Sequence, residues 1–367
     1  MYSIDIIKFL NNFKERVPYP SFSKLYKEFA ITKELNKDKI DGDKRTYSDK
    51  INILKKVSDK SNYAVFFKSM ISLYKANIEY GSKYVQYFKI TPFSSDGLFQ
   101  ELDSLLPSKN KFSSSYPLLL DKTDFDDVIP GSLSLVNKRK NENEIILVFS
   151  RLVHFQERVS IKSSSIIDSD LKDMYTEFYG IRHYLKQYID LVVFNTKTNV
   201  LEIRIDHFTT SSDSQSQKQF HNFLKQFKER LSPKFNKLFL ANKLNIHPVI
   251  KSINDDKACR VVEISFSTKE GSNIKIKRRQ KDSDIRTEAY HKAGSAAVLD
   301  NLDIYRIAAF WNRAGDEVEL LIPGSSKMIN DSYKEINEAI ITKCNSIEDF
   351  NFVNSKLFSY ISDNVNN

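Results

Sequence analysis

Near the N-terminus, apolar residues fall at three- and four-residue steps. Ile6, Leu10, Phe13 and Val17 mark one side of a helix, with Ser3 placed to cap it. The pair Pro18 and Pro20 ends that helix, since proline lacks the amide donor a helix interior needs. Leu25, Tyr26 and Phe29 predict a second helix opening at Ser21 or Ser23. A polar, charged connector over 36–45 follows. A third helical stretch covers about 48–80, carrying Ile51, Leu54, Val57, Phe66, Phe67, Met70, Ile71 and Tyr74, with Gly81 as its stop.

The period then changes. Residues 144–155 and 158–161 read as strands, and 168–188 as a helix. Residues 189–194 and 200–205 read as two strands of a hairpin joined by the polar turn 195–199. Residues 214–231 form an amphipathic helix through Phe220, Phe223, Leu224 and Phe227. Apolar and polar residues alternate over 261–266 and 274–279, and again over 304–311 and 317–322. Each pair flanks a glycine-containing turn, which predicts two more hairpins. Two helices, about 331–343 and 347–361, close the pattern.

The expected class is therefore α+β: a helical N-terminal region, then a mixed, mainly antiparallel sheet with hairpins and flanking helices. The polar loop 107–117 is the best boundary. It divides the chain into a basic helical domain (1–106), a central α/β domain holding the 189–206 hairpin (118–255), and a C-terminal hairpin and two-helix domain (256–367). No repeat of fixed period is present.

Charge adds a second layer of organisation. Lys and Arg total 56 against 47 Asp and Glu, a net charge of +9. The excess is concentrated: residues 1–90 carry a net +8 and 207–292 a net +9, whereas 91–206 and 293–367 are acidic. The two cysteines, Cys259 and Cys344, are far apart and read as reduced, buried thiols in a cytoplasmic protein. Asp5 and Lys8 interrupt the first apolar residues, so a secretory signal is not expected, and no apolar run approaches the length of a membrane span. Nine glycines are few for a fold that cradles phosphates on glycine-rich loops. The local signatures of P-loop NTPases, dinucleotide-binding folds, α/β-hydrolases, zincins, kinases and EF-hands are all missing. The six histidines are scattered without i,i+4 pairing.

The densest basic segment closes the second hairpin. Lys275, Lys277 and Arg279 fall on one face of a strand, opposite Ile274, Ile276 and Arg278, and Lys269, Lys281 and Arg286 extend the set. Cations about 7 Å apart on a rigid strand suit a phosphate backbone, where each neutralised phosphate releases a counterion. The competing structural role is an edge strand guarded by lysine against pairing with another sheet. The lysines of the N-terminal helices fit either a helix-turn-helix or a solvated docking surface.

A second constellation lies over 168–231, read as helix, strand, strand, helix. Glu177 falls on the first helix, Asp190 begins the first strand, and Glu202, Arg204 and Asp206 share one face of the second. This resembles the core of the PD-(D/E)XK nuclease superfamily, with Asp190 as the acidic residue and Glu202-Ile203-Arg204 where the family has E-x-K. The resemblance covers about 60 residues and implies a Mg²⁺ ion held by Asp190 and Glu202, with Glu177 and Arg204 completing the catalytic set. Arginine stands where the family uses lysine, and a guanidinium does not deprotonate.

Three readings follow. The first is a cytoplasmic DNA- or RNA-binding protein with no cofactor, in the role of an accessory subunit of a larger nucleic-acid-processing or antiviral defence assembly. The second is the Mg²⁺-dependent nuclease. The third is a scaffold subunit whose basic surfaces meet a protein partner.

Overall fold

The computed structural model describes residues 5–32, 46–57, 64–208, 212–236, 239, 242–268, 271–278, 283–297, 303–313, 316–330 and 334–365. The class is α+β, with an N-terminal helical region followed by strands and flanking helices. Helices α1 (Ile6–Arg16), α2 (Tyr19–Thr32), α3 (Tyr47–Val57) and α4 (Ala64–Ala76) come first. The side chain of Asp5 caps α1 by accepting from the amides of Ile7 and Lys8, while Ser3 lies outside the described residues. The predicted third stretch divides into α3 and α4, and a π-helical turn (Asn77–Gly81) leads from α4 into the sheet. These helices bury their own aromatic core around Phe9, Phe13, Phe22, Phe66 and Tyr74.

Next come β1 (Lys83–Lys89), α5 (Pro92–Ser104), α6 (Lys111–Ser115), β2 (Ser134–Lys140), β3 (Glu144–Ile161), α7 (Ser169–Met174), β4 (Phe178–Asn195), β5 (Val200–Asp206) and α8 (Asp213–Lys228). The remainder is α9 (Val249–Asp255), β6 (Arg260–Ser267), β7 (Asn273–Lys277), α10 (Ala289–Ala297), β8 (Asp303–Arg313), β9 (Asp316–Pro323), β10 (Glu338–Thr342) and α11 (Ile347–Val365). The strands make one ten-stranded antiparallel sheet in the order β2-β3-β4-β5-β1-β10-β9-β8-β6-β7. Segments from each of the three sequence divisions join it.

All three expected hairpins are present, β4–β5, β6–β7 and β8–β9. Two expected helices are not. Only Ser169–Met174 of the 168–188 stretch is helical; Phe178 onward is strand, paired with β3 over eighteen residues. Gly180 disfavours a helix, and the aromatic residues Phe178, Tyr179, Tyr184 and Tyr188 favour extended backbone there. The stretches 144–155 and 158–161 are correspondingly one strand, β3. Within 331–343, residues 338–342 form β10, inserted between β1 and β9. Buried on both faces, its Ala339-Ile340-Ile341 run carries no alternation that separates strand from helix.

The two halves of the sheet are covered on opposite faces. On the β2–β5 and β1 side, α5 and α8 pack on Leu201, Ile203, Ile205, Phe149 and Tyr84. On the β6–β10 side, α9 and α11 pack on the other face, against Val261, Ile307, Ala309, Val318, Leu320 and Ile341. Among the described residues no helix is long and apolar enough to cross a membrane.

Candidate functional site

Among the described residues no helix contributes to the apolar cluster on the α8-side face of β8 and β6, although α8 reaches Arg306 through Asp213, and Leu321 of β9 packs against the α5–α8 core. Register fixes which side chains share that face: Leu321 opposes Ala308, Ala308 opposes Glu263, Glu263 opposes Lys277, and Ser265 lies between Arg306 and Lys275. Its apolar content is one small cluster, Val262, Ala308 and Phe310 with Leu321 against it, to which no described helix contributes. The rest is polar.

Lys275 and Lys277 project from the outermost strand and are exposed, with Ile274 and Ile276 turned toward the opposite core. The pair is not unscreened. The Glu263 carboxylate lies 3.1 Å from Lys275 Nζ, 3.3 Å from Lys277 Nζ and 2.6 Å from Arg306 Nε. Burial alone would raise the Glu263 carboxyl, but Arg306 and Lys275 hold it below the usual carboxylate range. Arg306 also reaches Asp213 in the first turn of α8, which ties that helix to the sheet.

Arg278 departs from the expected alternation. It lies beyond the end of β7, and its guanidinium stacks over Phe310, 4.7 Å from the ring centroid, on the lysine side of the sheet. Lys343 approaches the same ring at 3.7 Å. Arg286 is structural. It donates to the carbonyls of Asn254, Asp256 and Cys259 and pairs with Asp284 at 2.7 Å, joining α9 to β6. Lys269, Arg279 and Lys281 lie outside the described residues.

The nuclease-like residues are not brought together. Glu177 precedes β4, where it accepts from the Tyr179 hydroxyl, so it is not on a helix. The length of β4 from Phe178 to Asp190 separates it from Asp190 by roughly 40 Å, at 3.3–3.4 Å per strand residue. Asp190 and Glu202 point to opposite faces, because Val193 opposes Glu202 and period two then turns Asp190 away. Asp190 is fully buried against Arg151 Nε at 2.7 Å, and burial raises its carboxyl despite that partner. Glu202 pairs with Arg204 at 2.7 Å and accepts from Asn354 of α11. Among the described residues no group of three His, Cys, Asp or Glu side chains is arranged to hold a metal ion.

This face runs into a cleft of about 800 Å³ at the N-terminus of α8. Its floor is Gln86 of β1, Ser265 of β6 and Glu338 of β10. Its walls carry Asp213 and Gln217 of α8, Lys243, Lys275, Arg306 and the turn at Gly324–Lys327. Burial raises the Glu338 carboxyl, while Lys243 partly opposes that effect. No protein-family model matches the chain, and none of the curated proteins does.

Of these cleft residues only Lys275 stands out in the sequence. Ser265 and Arg306 are legible as polar positions in alternating strands. Nothing local distinguishes them from ordinary solvent-facing residues, and Gln86 and Glu338 belong to strands far apart along the chain.

Proposed function

We propose that this protein binds nucleic acid along the edge of this sheet face, with Lys275 and Lys277 on its outer strand and the cleft at its inner end. The observation that carries this reading is the exposed lysine pair Lys275 and Lys277 on the outermost strand β7, held over the Glu263 carboxylate. Most sheet faces of an α+β fold are closed by an apolar layer, whereas this one holds the polar groups of Glu263, Ser265 and Arg306 buried or nearly so beneath an exposed lysine pair, Lys275 and Lys277. Cations held in fixed positions on an edge strand suit a phosphate backbone, where each neutralised phosphate releases a counterion. Glu263 balances part of the positive charge, so the surface holds its cations in fixed positions rather than as a diffuse field.

The test is binding of labelled DNA and RNA, single-stranded and duplex, across a salt series. Affinity should fall linearly on a log–log plot. Lys275→Ala/Lys277→Ala should reduce the slope by roughly 1.4 to 1.8, for two phosphate contacts at about 0.7 each on single strands or 0.9 on duplex. An unchanged slope would exclude this face, and no binding at low salt would exclude the function.

A second reading, docking of a protein partner, is favoured by the β3–β4 ribbon. Beyond His154 and Lys186 the ribbon carries exposed Tyr179 and Ile181, and the segment joining its strands carries exposed Ile167, Met174 and Tyr175. Exposed apolar groups clustered at one end of a molecule commonly mark an interaction site. A stoichiometric partner recovered after nuclease treatment, and lost with Tyr179→Ser/Ile181→Ser, is the expected result. Equal recovery by this variant would remove the ribbon from consideration.

A further inference from the structure

Among the described residues Lys186 of β4 has no carboxylate partner. It is half-buried at the base of the ribbon, its ammonium over the Phe208 ring at 3.4 Å from the centroid and 5.6 Å from that of Phe155. The neighbouring carboxylates are committed elsewhere: Asp206 to Arg16 and Lys83, Asp190 to Arg151, and Glu157 to Arg182. Asp206 has no oxygen to spare, since Lys83 holds one and Arg16 and the Ile189 amide hold the other. Arg16 of α1 reaches the same Phe208 ring at 5.2 Å. The two cations therefore meet at one wall of a cleft of about 420 Å³, which Ser82, His207 and Tyr47 also line.

Charge in this cleft does not balance. Arg16, Lys83 and Lys186 share the single Asp206 carboxylate, while Lys14 and Glu15, both exposed at the rim, cancel. Even with Lys83 neutral, a positive charge is left over. Burial lowers the His207 imidazole, with Asp213 and Asp206 opposing, so it is uncharged at pH 7. Burial brings the Lys186 ammonium down to about 8, and Arg16 adds to that shift against Asp206, Glu15 and Glu157. An anion that reaches both cations removes their repulsion and gains charge-assisted hydrogen bonds. The Lys186 ammonium donates to no described acceptor, and Arg16 retains N–H groups beyond those given to Asp206 and the Gln187 carbonyl. A carboxylate offers two oxygens in one plane. A phosphate offers three around an axis and suits donors that arrive from a helix and a strand. The volume lies within the roughly 300–1,000 Å³ of small-molecule pockets. We infer that this cleft binds the phosphate group of a small molecule between Lys186 and Arg16. The site lies apart from the β7 lysines and is independent of the nucleic-acid reading.

The experiment is titration calorimetry of the full chain at pH 8 with inorganic phosphate, ribose 5-phosphate, succinate and chloride at matched ionic strength, in two buffers of different ionisation heat. Phosphate or its monoester should bind, and succinate and chloride should not. Tighter binding of the monoester would identify an organic phosphate as the ligand, and equal binding would identify free phosphate. Lys186→Met should weaken binding roughly tenfold or more, the loss of one hydrogen bond between charged groups, whereas Lys197→Met, in the exposed β4–β5 turn, should not. Free Lys186 is about half protonated at pH 8, and a bound anion raises its proton affinity, so binding should take up close to half a proton. Lys186→Arg should keep most of the affinity and lose the proton uptake, because guanidinium does not titrate. It serves as the test if Lys186→Met does not fold. Equal binding of succinate or chloride, wild-type affinity in Lys186→Met, or proton uptake that persists in Lys186→Arg would each overturn the assignment.

Discussion

Replacing Asp206 by Asn should lower folding stability by about 3–5 kcal/mol, the range for breaking a buried ion pair from one side. Asp206 is buried at the end of β5. Its carboxylate accepts from Lys83 Nζ at 2.6 Å, Arg16 Nη1 at 2.7 Å and the Ile189 amide at 2.8 Å. Lys83 is fully buried as well, its remaining donors directed to the carbonyls of Ile78 and Ile189. An asparagine amide keeps one acceptor and turns an NH₂ group toward donors, whichever way it is oriented. Arg16 then stays charged without a carboxylate, since guanidinium does not deprotonate. Lys83 has more latitude, because burial already lowers its affinity for a proton. Adding Lys83→Met to Asp206→Asn should therefore recover part of the loss.

The pH dependence has a definite sign. Burial alone would raise the Asp206 carboxyl, but Arg16 and Lys83 hold it below its ordinary value. Its contribution is present above the unfolded pKa of about 3.9 and disappears as the pH falls through the folded value. Urea titrations of wild type and Asp206→Asn should differ widely at pH 7 and converge on acidification below about pH 4. A difference under about 1 kcal/mol at pH 7 would show that the pair contributes little net stability.

Asp206 also shows how far local pattern reaches. Period two correctly puts it on the face of Glu202 and Arg204, since β5 pairs regularly with β1. Its partners are not legible locally: Lys83 and Arg16 lie 123 and 190 residues away. The hairpins β6–β7 and β8–β9 are legible through the alternation of β7 and β9 and the glycine-containing turns, and α8 because one side of it faces a core and the other does not. β10 fails that condition, being enclosed on both faces, and the long β4 is obscured where it leaves the body as an exposed ribbon. The metal constellation does not form for a related reason. Residue spacing assigns a side chain to a face of its own strand, but the register between strands decides whether two carboxylates meet. The cleft is less legible still, as its floor joins β1, β6 and β10, which are adjacent in neither sequence nor hairpin.

The turn that closes this cleft should be the least tolerant point in its wall. A Cβ placed on Gly324 would lie 1.8 Å from the carbonyl oxygen of Tyr305 and 2.7 Å from Ile336 Cδ1. The first contact is with backbone in the adjoining strand β8, so no side-chain rotation relieves it. Gly324→Ala must push the turn at Gly324–Lys327 away from β8, the overpacking case that typically costs about 1–3 kcal/mol. Gly294 provides the control. It lies within α10, where an added methyl group would meet nothing within 4 Å, and alanine there should be neutral or stabilising by up to about 1 kcal/mol, as in other helix interiors. The turn also carries the cleft wall, so Gly324→Ala should weaken oligonucleotide binding in proportion to the displacement, whereas Gly294→Ala should not. Denaturation midpoints and anisotropy on the same two variants separate the effects. A Gly324→Ala protein as stable as wild type would mean that β8 and the turn can separate without cost, and the cleft would then have no fixed wall.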